Sequence, residues 1–166
     1  CALPIWPPPV AEPPSPPLPT PVVAAAAPPP PPDIIVAPRF VDVARESGVD
    51  FTPFNDSAAG HWMIVEIMGS GAGWLDFDLD GWLDLYLTEG CDLERTRTGD
   101  GTHHDRLFRG RGGAGFRDAS AAAGILDDRF GQGIAVGDYD VDGFPDIYLS
   151  NFQSAVILHN NGDGTF

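Results

Sequence analysis

The strongest constraint on this chain is a nine-residue acidic pattern that occurs twice. "DFDLDGWLD" runs from Asp76 to Asp84 and "DYDVDGFPD" from Asp138 to Asp146, and each leads straight into an alternating apolar segment. Over residues 71–89 and 133–151 the copies align without a gap at an offset of 62, with eight of nineteen positions identical. All four aspartates and the glycine after the third are among the identities. Such identity at a fixed spacing marks an internal repeat.

Numbered from its first aspartate, each loop places carboxylates at positions 1, 3, 5 and 9 and glycine at 6. A hard cation such as Ca²⁺ takes roughly six to eight oxygen ligands, and this spacing wraps a short loop around one. The candidate metal ligands are Asp76, Asp78, Asp80 and Asp84 in the first loop and Asp138, Asp140, Asp142 and Asp146 in the second. Trp82 and Phe144, at position 7, are expected to add backbone oxygens and to bury their rings. The expected cofactor is Ca²⁺ at two structural sites. A helical calcium loop is excluded, because it needs a bidentate Glu at position 12, where Leu87 and Leu149 stand. Mg²⁺ keeps several waters and rarely uses an all-protein cage. A carboxylate pair for hydrolysis needs one acid of raised pKa beside a substrate cleft, not four crowded aspartates in two equivalent places. An acidic turn is the other reading of one loop, since Asp-Gly is good turn chemistry. Two gapless copies favour calcium over it.

Beyond each loop the side chains alternate. Leu83, Leu85 and Leu87 face one way and Asp84, Tyr86 and Thr88 the other, with Pro145, Ile147 and Leu149 opposing Asp146, Tyr148 and Ser150 in the second copy. Period-two alternation with apolar or aromatic residues on both faces predicts strands covered on both sides. Further copies follow: 106–120 resembles 156–166, with Phe116 matching Phe166, and 40–49 resembles 116–125. The unit is strand, Asp loop, strand, hairpin, strand, with "GDGTF" supplying hairpin glycines. Repeats of about 40–60 residues, each a small four-stranded sheet, predict an all-β fold of the β-propeller kind. The propeller portion is expected over 40–166, with repeat cores near 71–120 and 133–166. About two units fall short of the four to eight blades of a closed ring, so the chain is expected to be part of a longer protein.

Residues 1–39 form a separate, Pro-rich region. It holds sixteen of the 18 prolines and only three charged residues, Glu12, Asp33 and Arg39. Proline fixes φ and lacks the N–H, so neither helix nor inner strand is expected there. An irregular, extended spacer or linker is expected, holding a domain off a surface. Cys1, followed by the small Ala2, is a candidate for lipidation, and several acyl chains would hold the protein to a membrane. The only other cysteine is Cys91, too few for a disulfide scaffold. The net charge of −15, with no lysine at all, opposes binding to nucleic acid or anionic lipid headgroups and suits cations.

Other motifs carry less. "GSGAG" at 69–73 lacks the Lys-Ser/Thr of a phosphate loop and reads as strand-edge glycines. His103 and His104 read as part of a solvated loop, and "GRGG" at 110–113 is a single copy in an acidic chain. Asn55-Asp56-Ser57 is a glycosylation sequon. No nucleophile-and-base constellation stands out, and no catalytic residue is assigned.

The pattern D-x-D-x-D-G-x-x-D followed by an apolar strand resembles the FG-GAP/VCBS repeats of integrin-like propellers. The wider set "FVDVARESGVDF", "MGSGAGWLDFDLDGWLDLYLTEG", "RLFRGRGGAGFRDASAAAGI", "GIAVGDYDVDGFPDIYLSNF" and "NNGDGTF" resembles the ASPIC/UnbV branch, akin to cartilage acidic protein. The resemblance covers about residues 39–166 and implies that the loop aspartates join the first and second strands of a blade and hold structural Ca²⁺. It also implies that "RFVDVA" is an outer strand closing the ring. "GRGGAGF" at 110–116 departs from the usual "NNGDGTF" turn. The function expected is a calcium-stabilised binding or scaffold module, extracellular or in the cell envelope. Its partner would be a protein or glycan, or a membrane complex holding the Pro-rich tail, with lipid anchorage through Cys1. The competing expectation is part of a propeller enzyme whose active site lies in other blades.

Overall fold

The alternating segments after the two aspartate loops resolve into two antiparallel meanders. A computed structural model describes residues 39–57, 63–96 and 99–166. The Pro-rich segment 1–38, with Cys1, lies outside the described residues. A short helix α1 (Ile64–Met68) precedes the first sheet, built from β1 (Ala72–Leu75), β2 (Asp84–Leu87), β3 (Arg106–Gly110) and β4 (Phe116–Asp118). The second sheet contains β5 (Gly131–Gly137), β6 (Asp146–Asn151) and β7 (Ser154–Leu158). Strand order follows the sequence in both sheets, and every pairing is antiparallel. Connections this short make each sheet a local product of the chain, since neighbours in sequence become neighbours in space.

The first sheet lays its Tyr86 face on the Ile147 face of the second. Leu75, Phe77, Tyr86, Leu107, Ala123 and Ile125 meet Ile147 and Leu149 in one buried cluster, with Ile134, Val156, Leu158 and Phe166 packed around it. Each fully buried side chain of this size contributes about 1.5–3 kcal/mol relative to exposure. The sheets approach through glycine. A Cβ at Gly71 would fall 2.9 Å from the Gly133 Cα, and one at Gly73 would fall 2.8 Å from the Ile134 side chain. The "GSGAG" glycines therefore stand where β1 meets β5. A smaller cluster of Val65, Cys91 and Phe130 lies apart, with Leu93 and Phe152 against it. Cys91 is a free thiol, and burial, with several aspartates nearby, pushes its pKa up to about 12.

The repeat extends into hydrogen bonds that strand assignments miss. Ser47, Gly48 and Val49 donate their amides to the carbonyls of Val43, Arg45 and Ala44. Ala123, Gly124 and Ile125 donate to those of Ala119, Ala121 and Ser120, position for position. The Phe116 amide then donates to the Ser47 carbonyl, as the Phe166 amide does to that of Ala123. Asp42 and Asp118 accept from Ala44 and Ser120 in the same way. Residues 39–43 form no strand here, and Phe40 is 91 % exposed. A strand needs a neighbour, and among the described residues none pairs with this segment. The "GRGGAGF" hairpin, despite its altered residues, closes as its counterpart does, Arg111 donating to Gly115 O as Asn161 donates to Thr165 O.

Candidate metal centres

Each aspartate loop joins the first strand of its sheet to the second. The close approaches of Gly71 to Gly133 and Gly73 to Ile134 run β1 and β5 side by side in the same direction, so both loops emerge at one end. Asp76 accepts the amides of Asp80 and Gly81, each at 3.0 Å. Asp138 accepts those of Asp142 at 3.1 Å and Gly143 at 2.9 Å. Asp80 and Asp142 accept from Trp82 and Phe144, each at 2.9 Å. The last aspartate of each loop reaches back to the residue after the first: Asp84 accepts from Phe77, and Asp146 from Tyr139. The other oxygen of each accepts from the third strand's end, from Gly110 and Asn160, both at 2.8 Å. The loops are thus the same object built twice.

The turn demands more than its glycines. Gly81 and Gly143 have φ of 87° and 96°, but Leu79 and Val141 also take left-handed φ, 54° and 64°. A β-branched residue in that region is strained by about 1–3 kcal/mol. Nothing in the apolar identity of position 4 announces this. The rings at position 7 are not buried as expected. Trp82 is 54 % exposed, its ring lying over Gly112, and Phe144 is half-buried over Gly162. The hairpin glycine, not a core, is what each ring covers.

Carboxylates converge in both loops. Oxygens of Asp76, Asp78 and Asp84 lie within 4.8 Å of one another, as do those of Asp138, Asp140 and Asp142. In the second loop, Asp140 and Asp146 also converge with His159. Sequence reasoning named all the aspartates and missed the basic residue of the third strand. Arg109 Nε lies 2.6 Å from Asp78 Oδ2, and its Nη2 lies 2.8 Å from Asp80 Oδ2. His159 Nδ1 lies 3.2 Å from Asp146 Oδ1 and 3.5 Å from Asp140 Oδ2. Matching Leu85↔Phe108 to Ile147↔Leu158 makes Arg109 and His159 equivalent positions. Both follow the apolar residues of a strand, and the offset of 50 between the two hairpins was the signal that could have found them.

The donor set suits a hard cation. Asp78 Oδ1 is sealed from solvent and has no hydrogen-bond partner. Burial pushes the Asp78 carboxyl up, with the Arg109 guanidinium opposing. Burial likewise pushes Asp84 up to about 6 against the amides of Gly110 and Phe77. For Asp146 burial also works against the charge, but the amides of Asn160 and Tyr139 together with His159 hold its carboxyl below the usual range. Oxygens held together against their own repulsion form a cage that a divalent ion would relieve.

The opposite end of the first sheet carries a polar cluster that the sequence did not reveal. Asp105 is fully buried, accepting from the Tyr86 hydroxyl at 2.8 Å and the Glu89 amide at 2.7 Å. Burial pushes its carboxyl up to about 8 and raises Glu89 and Asp127 as well. Asn151 donates to Asp127 at 2.6 Å. His103 does not sit in open solvent: its ring stacks on Phe54 at 4.0 Å and its Nδ1 meets Asp100 Oδ2 at 2.5 Å. Asn55, the sequon residue, donates its side-chain amide to the Glu66 carbonyl.

Residues 76–149 match the family model of the FG-GAP-like repeat. The match starts on the first aspartate of the first loop and ends in β6, so it spans both candidate centres. No curated protein matches the chain.

Proposed function

We propose that this protein is a calcium-stabilised binding or scaffold module of the extracellular space or cell envelope, built on a β-propeller of the ASPIC/UnbV type. The observation that carries the reading is the duplicated loop: two cages of converging carboxylates, at one end of two packed sheets, with a sealed and unpartnered Asp78 oxygen in the first. Asp76, Asp78, Asp80 and Asp84 would hold one Ca²⁺, and Asp138, Asp140, Asp142 and Asp146 the other. The ion supplies charge compensation, and the loops fix how each first strand turns into its second.

Propeller closure draws its support from what each sheet leaves uncovered. Tyr148 and Ile157 lie on the outer face of the second sheet at 47 % and 55 % exposure. A further sheet of the same repeat would cover them, and the Phe40–Val43 segment would complete a sheet that lacks its fourth strand. A rigid disc of this kind presents loops to a protein or glycan, and its acidic surface disfavours nucleic acid. Calcium should raise the melting temperature of the full-length protein, because a ligand that binds only the folded state stabilises it by mass action. An unchanged melting temperature after chelation would remove the metal from this account.

A further inference from the structure

The two loops share backbone geometry but differ in the basic side chain that the third strand brings to each. In the second loop the position-5 carboxylate, Asp142, converges with Asp138 and Asp140. In the first, its equivalent Asp80 is absent from the converging set, which is Asp76, Asp78 and Asp84. Beside this set Arg109 holds Asp80 Oδ2 at 2.8 Å and Asp78 Oδ2 at 2.6 Å. The equivalent His159 faces Asp140 and Asp146 and leaves Asp142 alone. A guanidinium keeps its charge at every working pH and grips carboxylates as a planar fork, here spanning Asp78 and Asp80.

We propose that Arg109 is a built-in counter-cation that sets the two centres apart, making the first loop the weak calcium site and the second the tight one. The inference rests on the calcium reading of the loops. Arg109 acts in two ways: it competes with the ion for the Asp78 and Asp80 carboxylates, and it places a permanent positive charge beside the incoming ion. With the ion absent, the same guanidinium offsets the crowding of Asp78 and Asp80, so the first loop keeps its shape when emptied. The second loop has no guanidinium in that place and depends more on the metal.

The test is calorimetric titration of the chelator-stripped full-length protein with Ca²⁺, in wild type and in Arg109→Gln. Asp138→Asn and Asp76→Asn assign each binding step to its loop. Wild type should show a tight step lost in Asp138→Asn and a step at least about tenfold weaker lost in Asp76→Asn. Arg109→Gln should tighten the weak step by about tenfold. It should also lower the melting temperature of the calcium-free protein and enlarge its rise on adding Ca²⁺. Arg109→His, which copies the second loop, should move affinity and melting in the same directions and guards against a fault peculiar to glutamine. Equal affinities in wild type, or a first-loop step unmoved by both substitutions, overturn the role of Arg109 while leaving calcium binding intact. No calcium bound by any of these proteins overturns the calcium reading itself.

Discussion

The Tyr86 hydroxyl donates to Asp105 Oδ2 at 2.8 Å, in a part of the first sheet where both residues are fully buried. Burial raises the Asp105 carboxyl from 3.8 to about 8, so the folded protein binds its proton more tightly than the unfolded chain does. Stability from this group is therefore complete below about pH 4 and falls as pH rises towards 8. At about 1.4 kcal/mol per pKa unit, the loss amounts to several kcal/mol. Asp105→Asn copies the protonated acid, accepting from the Glu89 amide and donating to the Tyr86 oxygen. It should flatten the dependence of melting temperature on pH between 4 and 8, and gain on wild type at the upper end. Parallel profiles for the two proteins would remove Asp105 as the cause.

Tyr148 and Ile157 face one another across β6 and β7, as Tyr86 and Leu107 do across β2 and β3. The first-sheet pair has 0 % exposure, and the second-sheet pair 47 % and 55 %. In the full-length protein, a covering sheet would make Tyr148→Ala and Ile157→Ala cost about 2–5 kcal/mol, near the cost of truncating Tyr86 or Leu107. On a free face, each change should stay within about 0.5 kcal/mol. Denaturant unfolding of the four variants decides between a closed and an open stack.

How much of this was legible beforehand follows from what period and spacing encode. The gapless offset carried the aspartates, the glycines and the strand on either side, and residues 84–87 and 146–151 formed strands as the alternation required. Which face is interior was not encoded, because both faces are apolar enough to bury. Asp84, Tyr86 and Thr88 have 0 % exposure, while Leu83 on the other face is 60 % exposed. Arg109, His159 and Asp105 escaped notice for a different reason. Their roles arise from pairing across strands, which local sequence does not display, and a lone charged residue at a strand end reads as solvated.

Gly71 and Gly73 should respond differently to the same substitution. A Cβ at Gly71 would meet three Gly133 backbone atoms at 2.9–3.1 Å, and backbone in a sheet cannot step aside. The nearest atoms to a Cβ at Gly73 are those of the Ile134 side chain, at 2.8–3.1 Å, which gives way more readily than backbone. Gly71→Ala is expected to destabilise by about 1–3 kcal/mol, through separation of β1 from β5, and Gly73→Ala by clearly less. Thermal melts of the two variants test this, and equal losses would show that the sheets move apart as rigid bodies at either point.

Asn160 joins the two sheets through its side chain. Its Nδ2 donates to the Phe77 carbonyl in the first loop at 2.8 Å and to the Pro145 carbonyl at 3.2 Å. Its Oδ1 accepts from Gly162 at 3.0 Å, and its own amide donates to Asp146. Asn160 itself is fully buried, as is its bond to the Phe77 carbonyl. Asn160→Ala strands the Phe77 carbonyl, at about 1–3 kcal/mol for a buried group left unsatisfied, and leaves the amide of the exposed Gly162 to water. Asn160→Asp keeps the acceptor for Gly162 but turns a carboxylate towards two carbonyl oxygens, so it should be the worse of the two near neutral pH. Protonation gives the introduced carboxyl a single donor, and the gap between the variants should narrow in acid. A gap that stays constant from pH 4 to pH 8, read by denaturant unfolding, would mean that Asn160 fills space between the sheets and does not bind them.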